Sequence, residues 1–400
     1  MDDVSPGKTL GVRVDINSPV EDGEVADNRR FARHAETVSE LLADDHAVVL
    51  LAHQGRPGRE DFASLAGHAE VFAGHLDRSV EFVDDVHGDR AVAAVEDVDP
   101  GEVVLLENVR MSESELTDRT PAEHAESALV SDLAPHFDAY VNDAYSAAHR
   151  AHASLVGFPP VVPSFGGRVM AAEYEYNSSV RDRAFDGPVT MVLGGTKVAD
   201  LVGVMERLKD RVDNFLLGGV VGELFLRARG YDVGYDVADE TLYDDQWAAT
   251  ADRIRSLLAE HDDTIQLPVD LAYEGPDGER AEETVAGIEK TQPFLDVGSQ
   301  TVTTYAPYVR ESAATFVKGA LGVFEDERFA HGTVGVLEAI AEGDGFSVVG
   351  GGDTGRAISL YGLDETAYDH VSLAGGAYLR ALTGDPLPAV EALQRYRPDE

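Results

Sequence analysis

The feature that most restricts the fold of this chain is a repeated alternation of short apolar segments with longer segments of helical periodicity. Apolar and polar residues alternate from Leu10 to Ile16, as they do in a strand. From Phe31 to Leu42 apolar residues recur at helical spacing, and Asp27 precedes them as the predicted N-cap. Strands that alternate with helices in this way are typical of α/β proteins with parallel sheets.

The alternation continues on both sides of residues 157–164, which hold three prolines and are predicted to separate two halves. Further predicted strands cover residues 47–51, 103–106, 139–141, 189–193, 214–217, 264–267, 314–317 and 346–349. Predicted helices lie near residues 121–133, 169–180, 199–211, 222–229, 333–341 and 375–382. At roughly 150 residues per domain, 400 residues accommodate two domains, and helix 169–180 is expected to connect them. The acidic stretch 236–245 is predicted to be a solvated loop or face.

Charge and composition exclude several classes of protein. The 74 acidic residues outnumber the 32 basic ones, which gives a net charge of −42 and argues against a nucleic-acid partner. The absence of cysteine excludes disulfides and thiolate chemistry. Only five basic residues are lysines, so the composition indicates a salt-accumulating cell, with an ordinary acidic protein as the alternative. Without a signal segment or a run of about 18 apolar residues, a soluble cytoplasmic protein without membrane contact is expected.

Unusual polar and glycine-rich clusters follow the predicted strands in both halves. Ligands of parallel sheets bind at the carboxyl ends of strands, so these clusters are the candidate sites. In the first half they are residues 15–17, 53–57, 107–110 and 142–152. In the second half they are residues 194–197, 218–219, 268–270, 319–322 and 350–354.

The clusters of the first half are rich in arginine and histidine. Arg56, Arg110 and Arg150 follow predicted strands, and Arg30 lies on the first helix. Guanidinium groups bind phosphate or carboxylate in a bidentate manner, so a small anionic substrate is the expected ligand. The alternative is that these arginines only pair with surface carboxylates. His53, His149 and His152 are interpreted as hydrogen-bonding or structural residues rather than as zinc ligands.

The clusters of the second half suit a nucleotide. Glycines allow backbone N–H groups to approach phosphates, and Asp353 after three glycines offers a hard oxygen ligand for Mg²⁺. Residues 350–355 also satisfy GxGxxG, but a ribose-binding acid at the usual distance is lacking. An anion site and a nucleotide site together predict phosphoryl transfer. A nicotinamide-dependent oxidoreductase and a non-catalytic nucleotide-binding module remain the alternatives.

Ten motif-like segments span nearly the whole sequence: VRVDINSP (12–19), LAHQGRP (51–57), LLENVR (105–110), YVNDAYSAAHRAHAS (140–154), LGGTKVAD (193–200), LLGG (216–219), LPVD (267–270), GVFE (322–325), VVGGGDT (348–354) and VSLAGGA (371–377). Taken together and in this order, they resemble the motifs of the phosphoglycerate kinase family. The absence of long insertions is similar to the archaeal branch.

The resemblance implies two Rossmann-like three-layer α/β domains whose parallel sheets face each other across a hinged cleft. Residues 1–165 would bind phosphoglycerate, residues 166–385 would hold the connector helix and bind nucleotide, and residues 386–400 would pack back on the first domain. It implies Mg²⁺-dependent, reversible transfer between ATP and 3-phosphoglycerate, which gives ADP and 1,3-bisphosphoglycerate. A monomer is expected.

The resemblance also implies roles for individual residues. Arg30 and Lys197 would be catalytic, and Asp353 would orient Mg²⁺. The phosphoglycerate would be held by Asp15, Ile16, Asn17, Arg30, His53, Gln54, Gly55, Arg56, Arg110 and Arg150. The nucleotide would be held by Lys197, Glu325, Gly351, Gly352, Asp353 and Thr354.

Three positions depart from the commoner family pattern. Many members carry a second lysine four residues after the first, and that position is Leu201 here. The Asn-Gly-Pro before GVFE is Lys318-Gly319-Ala320, and a Thr-Gly-Gly-Gly near the end begins with Leu373-Ala374. The charge of the transition state would then be balanced by Lys197, Arg30, Mg²⁺ and helix N-termini, or by a group that the sequence does not identify.

Overall fold

The chain forms two units, which we describe separately. The structure, a computed structural model, describes residues 1, 4–21, 23–236, 241–288 and 292–397. The first unit comprises Met1–Glu175 and Pro386–Glu400, and the second comprises Tyr176–Asp385. Within the described ranges, no helix combines the length and the apolar character needed to cross a membrane.

The first unit is built on a six-stranded sheet in the order β5-β6-β4-β1-β7-β8, with all neighbouring strands parallel. A short hairpin, β2-β3, lies outside this sheet. The elements are β1 (Thr9–Arg13), β2 (Val20–Glu21), β3 (Glu24–Val25), α1 (Arg29–Ala43), β4 (Ala47–Leu51), α2 (Ala66–Leu76), β5 (Glu81–Val83), α3 (Asp89–Asp97), β6 (Val103–Leu106), α4 (Pro121–Ala125), α5 (Ala128–Leu133), β7 (Ala139–Asn142), α6 (Ala153–Val156), β8 (Ser164–Gly166) and α7 (Arg168–Asp182), which continues into the second unit.

Helices cover both faces of this sheet. Val48 and Leu50 of β4 pack with Phe31 of α1 in one apolar cluster, whereas Val49 and Leu51 contribute to a second cluster on the opposite face. Successive strand residues point to opposite faces, so a strand buried on both sides is a continuous apolar run. The first unit therefore has the three layers expected of a doubly wound fold.

The second unit repeats this architecture with the strand order β11-β10-β9-β15-β16-β17, again all parallel. An antiparallel three-stranded sheet, β13-β12-β14, is added to it. The elements are β9 (Val189–Leu193), α8 (Val198–Leu208), β10 (Asn214–Leu217), α9 (Gly219–Ala228), α10 (Leu242–Glu260), β11 (Ile265–Gln266), β12 (Asp270–Glu274), β13 (Arg280–Thr284), β14 (Asp296–Val297), α11 (Ser299–Arg310), β15 (Ala314–Lys318), α12 (His331–Ala341), β16 (Phe346–Gly350), α13 (Gly352–Leu360), β17 (His370–Val371) and α14 (Gly376–Thr383). The last helix, α15 (Pro388–Arg395), belongs to the first unit.

The boundary between the units differs from the expected one at residue 165. The proline-containing stretch leads into β8, the edge strand of the first sheet, and the division falls inside α7. Asp143 of the first unit accepts a hydrogen bond from Val169 N (2.9 Å) near the start of α7, whereas the Tyr176 ring stacks on His370 of the second unit, with ring centroids 4.7 Å apart. The first turn of α7 thus packs within the first unit, and the ring of Tyr176 in its middle packs within the second.

Several local predictions are also corrected. Asn28, not Asp27, caps α1, because its side chain accepts the Arg30 N–H (2.9 Å). The single helix predicted over residues 121–133 is two helices, α4 and α5, and Ser127 is the N-cap of the second. The acidic stretch 236–245 reaches into α10 from Leu242 onward, and its residues 237–240 lie outside the described ranges.

Candidate active site

Asp15 and Arg30 form a charged pair beside the end of β1. Arg30 lies in the first turn of α1, and its guanidinium donates to Asp15 Oδ2 (2.6 Å). Burial alone would raise the pKa of Asp15, but the Arg30 charge and a hydrogen bond from Ser146 help to hold it well below its usual range. Asp15 is therefore a buried carboxylate whose charge is balanced by neighbouring cations.

The loops after β1 and β4 are joined by side-chain amides. Asn17 Oδ1 accepts the Gly55 N–H (2.8 Å), and Gln54 both accepts from Ser18 N (2.9 Å) and donates to Ser18 O (2.8 Å). Gln54 and Ile16 are completely buried. The amides thus fix the loop backbone, and the hydrogen bonds of the Gln54 side chain are made to other protein groups.

Arginines with few acidic partners converge near these loops. Burial lowers the pKa of Arg110 to about 10, with further contributions from the charges of Arg150 and Arg13. Burial and the charge of Arg56 lower the pKa of Arg150. Arg110 donates to Gly55 O, yet no group among the described residues accepts a hydrogen bond from its buried Nε. An anion placed here would relieve this repulsion and satisfy the free donor.

Sequence reasoning missed Arg13, the most deeply buried cation of this group, with 1% of its surface exposed. Its guanidinium donates to His53 Nδ1 (2.9 Å) and to Ser154 Oγ (2.9 Å). Burial holds the pKa of His53 well below its usual value, so a neutral imidazole that accepts at Nδ1 presents its N–H at Nε2. A charged residue between Val12 and Val14 in an apolar strand was the signal that could have identified Arg13.

The other histidines of this region are engaged in hydrogen bonds and ion contacts. His149 Nε2 accepts from Arg150 Nε (3.1 Å), and His152 Nδ1 lies 3.6 Å from Glu115 Oε1. In the part of the chain that the structure describes, no three His, Asp or Glu side chains converge as metal ligands.

The second unit carries a glycine-lined cavity at the carboxyl ends of β9, β15 and β16. Gly351 has a left-handed backbone (φ +108°) and precedes α13, whose first turn contains Gly352, Asp353 and Thr354. Close packing also requires glycine at 194, because a Cβ there would lie 2.1 Å from Ala320 O. The Thr354 hydroxyl is buried and donates to Gly350 O (3.1 Å).

This cavity, of about 290 Å³, adjoins a larger one of about 370 Å³. Lys197, Lys318 and Asp353 line the smaller cavity, and both cavities share Gly195, Thr196 and Asp353. The larger cavity has an apolar lining that includes Phe294, Leu321 and Phe324, and it also contacts Glu325. A glycine-lined cavity that contains two lysines, beside an apolar one, matches the phosphates and the base of a nucleotide.

One strand-end cluster, LPVD, has a structural role. Asp270 is completely buried, and its carboxylate accepts hydrogen bonds from Gln300 N (2.9 Å), Thr301 N (2.8 Å) and Thr301 Oγ1 (2.6 Å) at the start of α11. It thus satisfies the free N–H groups of a helix that begins far along the chain.

A cluster of arginines in one α/β unit and glycine-lined cavities in the other are typical of phosphotransferases that act on small anionic acceptors. A sequence model of the family described as phosphoglycerate kinase matches residues 1–385. The chain is 62% identical over 395 residues to the phosphoglycerate kinase of Halorubrum lacusprofundi, covering 98% of this chain and 97% of the relative. It is 58% identical over 396 residues to that of Haloarcula marismortui, covering 99% of each.

A solved structure agrees with the sequence relatives. The crystal structure of phosphoglycerate kinase from Pyrococcus horikoshii matches with a TM-score of 0.93 at 34% identity, covering 99% of this chain and 98% of the other. The chain belongs to the phosphoglycerate kinase family. It is thus a kinase of glycolysis, and its relatives in halophilic archaea agree with its acidic composition.

Proposed function

We propose that the first unit binds 3-phosphoglycerate and that the second binds ATP with Mg²⁺. The γ-phosphoryl group would then pass directly to the acceptor, giving ADP and 1,3-bisphosphoglycerate in a reversible reaction. The observation that carries this proposal is the group of mutually repelling arginines around the buried Arg110, whose Nε lacks an acceptor among the described residues. Such a group is suited to a small ligand with phosphate and carboxylate charges.

Several side chains of the first unit are proposed to position the acceptor. Arg110, Arg150 and the exposed Arg56 would neutralise its charges, and the neutral His53 would donate from Nε2. Arg30, held by Asp15, would stand nearest the transferring group. The complete proposed set is Asp15, Ile16, Asn17, Arg30, His53, Gln54, Gly55, Arg56, Arg110 and Arg150, with Ile16, Asn17, Gln54 and Gly55 shaping the loops.

The second unit is proposed to hold the nucleotide along its two adjoining cavities. Glu325 would bind the ribose, and Gly351, Gly352 and Thr354 would form the backbone around the phosphates. Lys197, exposed immediately before α8, would meet the transferred group. Asp353 lies where the cavities meet and provides a hard oxygen ligand. Mg²⁺, when bound with the nucleotide, would neutralise phosphate charge.

The proposed chemistry is an in-line displacement. A carboxylate oxygen of 3-phosphoglycerate forms a bond to the γ-phosphorus as the bond to the β,γ-bridging oxygen breaks and ADP leaves. The transferring group carries developing negative charge, so Arg30 and Lys197 act by positioning and charge neutralisation. A monomeric enzyme working in the cytoplasm is part of this proposal.

The test is an ADP-release assay with protein, ATP, Mg²⁺ and 3-phosphoglycerate in molar KCl. Lys197→Ala should lower turnover by orders of magnitude, whereas Lys209→Ala, which removes a half-exposed lysine 3.5 Å from Glu260, should not. No phosphoglycerate-dependent ADP from folded protein would defeat the proposal. A nicotinamide absorbance change would favour an oxidoreductase, and ATP binding without turnover would favour a non-catalytic module.

A further inference from the structure

The geometry points to Lys318 as a second cation for the nucleotide phosphates, acting beside Lys197. This inference rests on the proposed nucleotide site and assigns to it a residue that the family motifs do not. Lys318 is the last residue of β15, and its side chain lines the same cavity as Lys197, Asp200 and Asp353.

The sheet register places Lys318 between the two glycine segments of the cavity. In the parallel pairing of β15, Lys318 lies opposite Leu193 of β9 and Gly350 of β16. A Cβ built on Gly351 would lie 3.0 Å from Lys318 Nζ. The ammonium therefore lies against the residue that precedes α13, at the end of the helix where N–H groups are free to bind an anion.

The electrostatic surroundings of Lys318 favour a bound anion. The ammonium lies near the positive end of the α13 dipole, and Lys197 lines the same cavity. Burial lowers the pKa of Lys318, and the Lys197 charge lowers it further, while Asp353 and Asp200 oppose this shift. Among the described residues, no hydrogen bond or ion pair involves the Lys318 ammonium. A bound phosphate group would offset the repulsion between Lys197 and Lys318 and would also interact favourably with the N-terminus of α13.

Helix α8, which also borders the cavity, places no positive charge at position 201. Leu201, one turn after Lys197 on α8, lines the same cavity with an apolar side chain. A cation at 201 would approach the phosphates from the helix, whereas Lys318 approaches from the sheet. The two positions are therefore alternative sources of one charge, and this predicts that a lysine at 201 compensates for loss of Lys318.

Titration calorimetry in molar KCl, with adenosine, ADP and ATP as probes, tests this role. Because Lys318 is assigned to phosphates, we expect Lys318→Met to weaken ADP and ATP binding about tenfold and to leave adenosine binding unchanged. Lys318→Gln should give the same pattern if the methionine variant does not fold. The double variant Lys318→Met/Leu201→Lys should regain ATP affinity, and Lys209→Met is the matched control.

Two results would overturn the assignment. The first is unchanged ADP and ATP affinity in folded Lys318→Met or Lys318→Gln. The second is an equal loss for adenosine and ATP, because the lysine would then shape the cavity rather than bind phosphate. The wild type distinguishes failure of the proposed function from failure of this inference. If the wild type shows neither ATP binding nor phosphoglycerate-dependent turnover, the proposed function fails. If the wild type is active and the Lys318 variants bind ADP and ATP as tightly as it does, only the role of Lys318 is refuted.

Discussion

Glu223 is a buried acidic side chain beside the larger cavity of the second unit, and it makes stability depend on pH in a specific way. It lies on α9 with 4% of its surface exposed, and its Oε1 accepts a hydrogen bond from the Tyr243 hydroxyl (2.7 Å). Burial raises the pKa of Glu223 to about 8, although the hydrogen bonds from Tyr243 and from Gly234 N oppose the shift. Glu223 is therefore mostly protonated in the folded chain near neutral pH.

The sign of the effect follows from proton linkage. The folded pKa lies above the ordinary value of 4.5, so the folded chain binds more protons, and stability falls as the pH rises between the two values. The full difference corresponds to about 5 kcal/mol, an upper limit because relaxation and water entry reduce such penalties. Between about pH 6 and pH 8 the expected loss is roughly 2–3 kcal/mol.

Glu223→Gln isolates this contribution, because glutamine is neutral at every pH and keeps an oxygen that accepts from Tyr243. The free energy of unfolding of the variant relative to wild type should therefore rise across this pH range. Urea unfolding at fixed KCl can be followed by Trp247, the single tryptophan, which lies on α10 one turn after Tyr243. Glu338→Gln, on an exposed position of α12, controls for the loss of one surface charge. A difference that stays constant with pH would refute the reasoning.

The remaining predictions concern the first unit and salt. Arg30→Ala should lower turnover at least a hundredfold in the ADP-release assay, since it removes a cation proposed to neutralise the transferring group and also the ion-pair partner of Asp15. Turnover near wild type would contradict its role. Arg110→Ala should raise KM for 3-phosphoglycerate much more than KM for ATP, and an equal rise in both would argue against an acceptor site. Truncation before Pro386 removes the Ala389 N to Ala148 O hydrogen bond (3.1 Å) and the buried face of α15, so calorimetry should show a lower Tm. Activity should hold or rise in molar KCl, and a low-salt optimum would contradict the halophilic interpretation.

The central strands of the two large sheets were predicted well because their burial is visible in the sequence. Residues 47–51 are apolar throughout, residues 189–193 are apolar except for Thr190, and the two segments form β4 and β9 with those same bounds. Helix α10 was missed because its apolar face is sparse: only Tyr243, Thr250, Ile254 and Leu257 are buried in 19 residues, and its first turn is acidic. Such a helix is stabilised mainly by packing against α8 and α9, which a local pattern does not contain.

Candidate site residues could be predicted from the sequence where they follow a strand directly. They could not be predicted where their position depends on contacts with residues far away in the sequence. Asp15 and Arg30 could be singled out by position, but the bond from Arg13 to Ser154 joins residues 141 positions apart. The role of Lys318 depends on the register that sets it beside Gly350. Polar residues at strand ends therefore indicate where a ligand binds, whereas the role of each residue depends on contacts between segments that are distant in the sequence.

The charge distribution explains how so acidic a chain can bind two polyanionic substrates. In molar salt the screening length is about 3 Å, so the exposed carboxylates scarcely act on a ligand a few residues away. Arg110 is buried and Arg150 and Lys318 are half-buried, so these cations are less open to that screening. Burial and the charge of neighbouring cations lower the pKa of each. At about 0.1 M salt the screening length is about 10 Å, and the surface field then reaches incoming ligands. High salt therefore removes the repulsion of the surface more than the attraction of the site, and the same net charge of −42 that keeps the protein hydrated does not prevent it from binding phosphate.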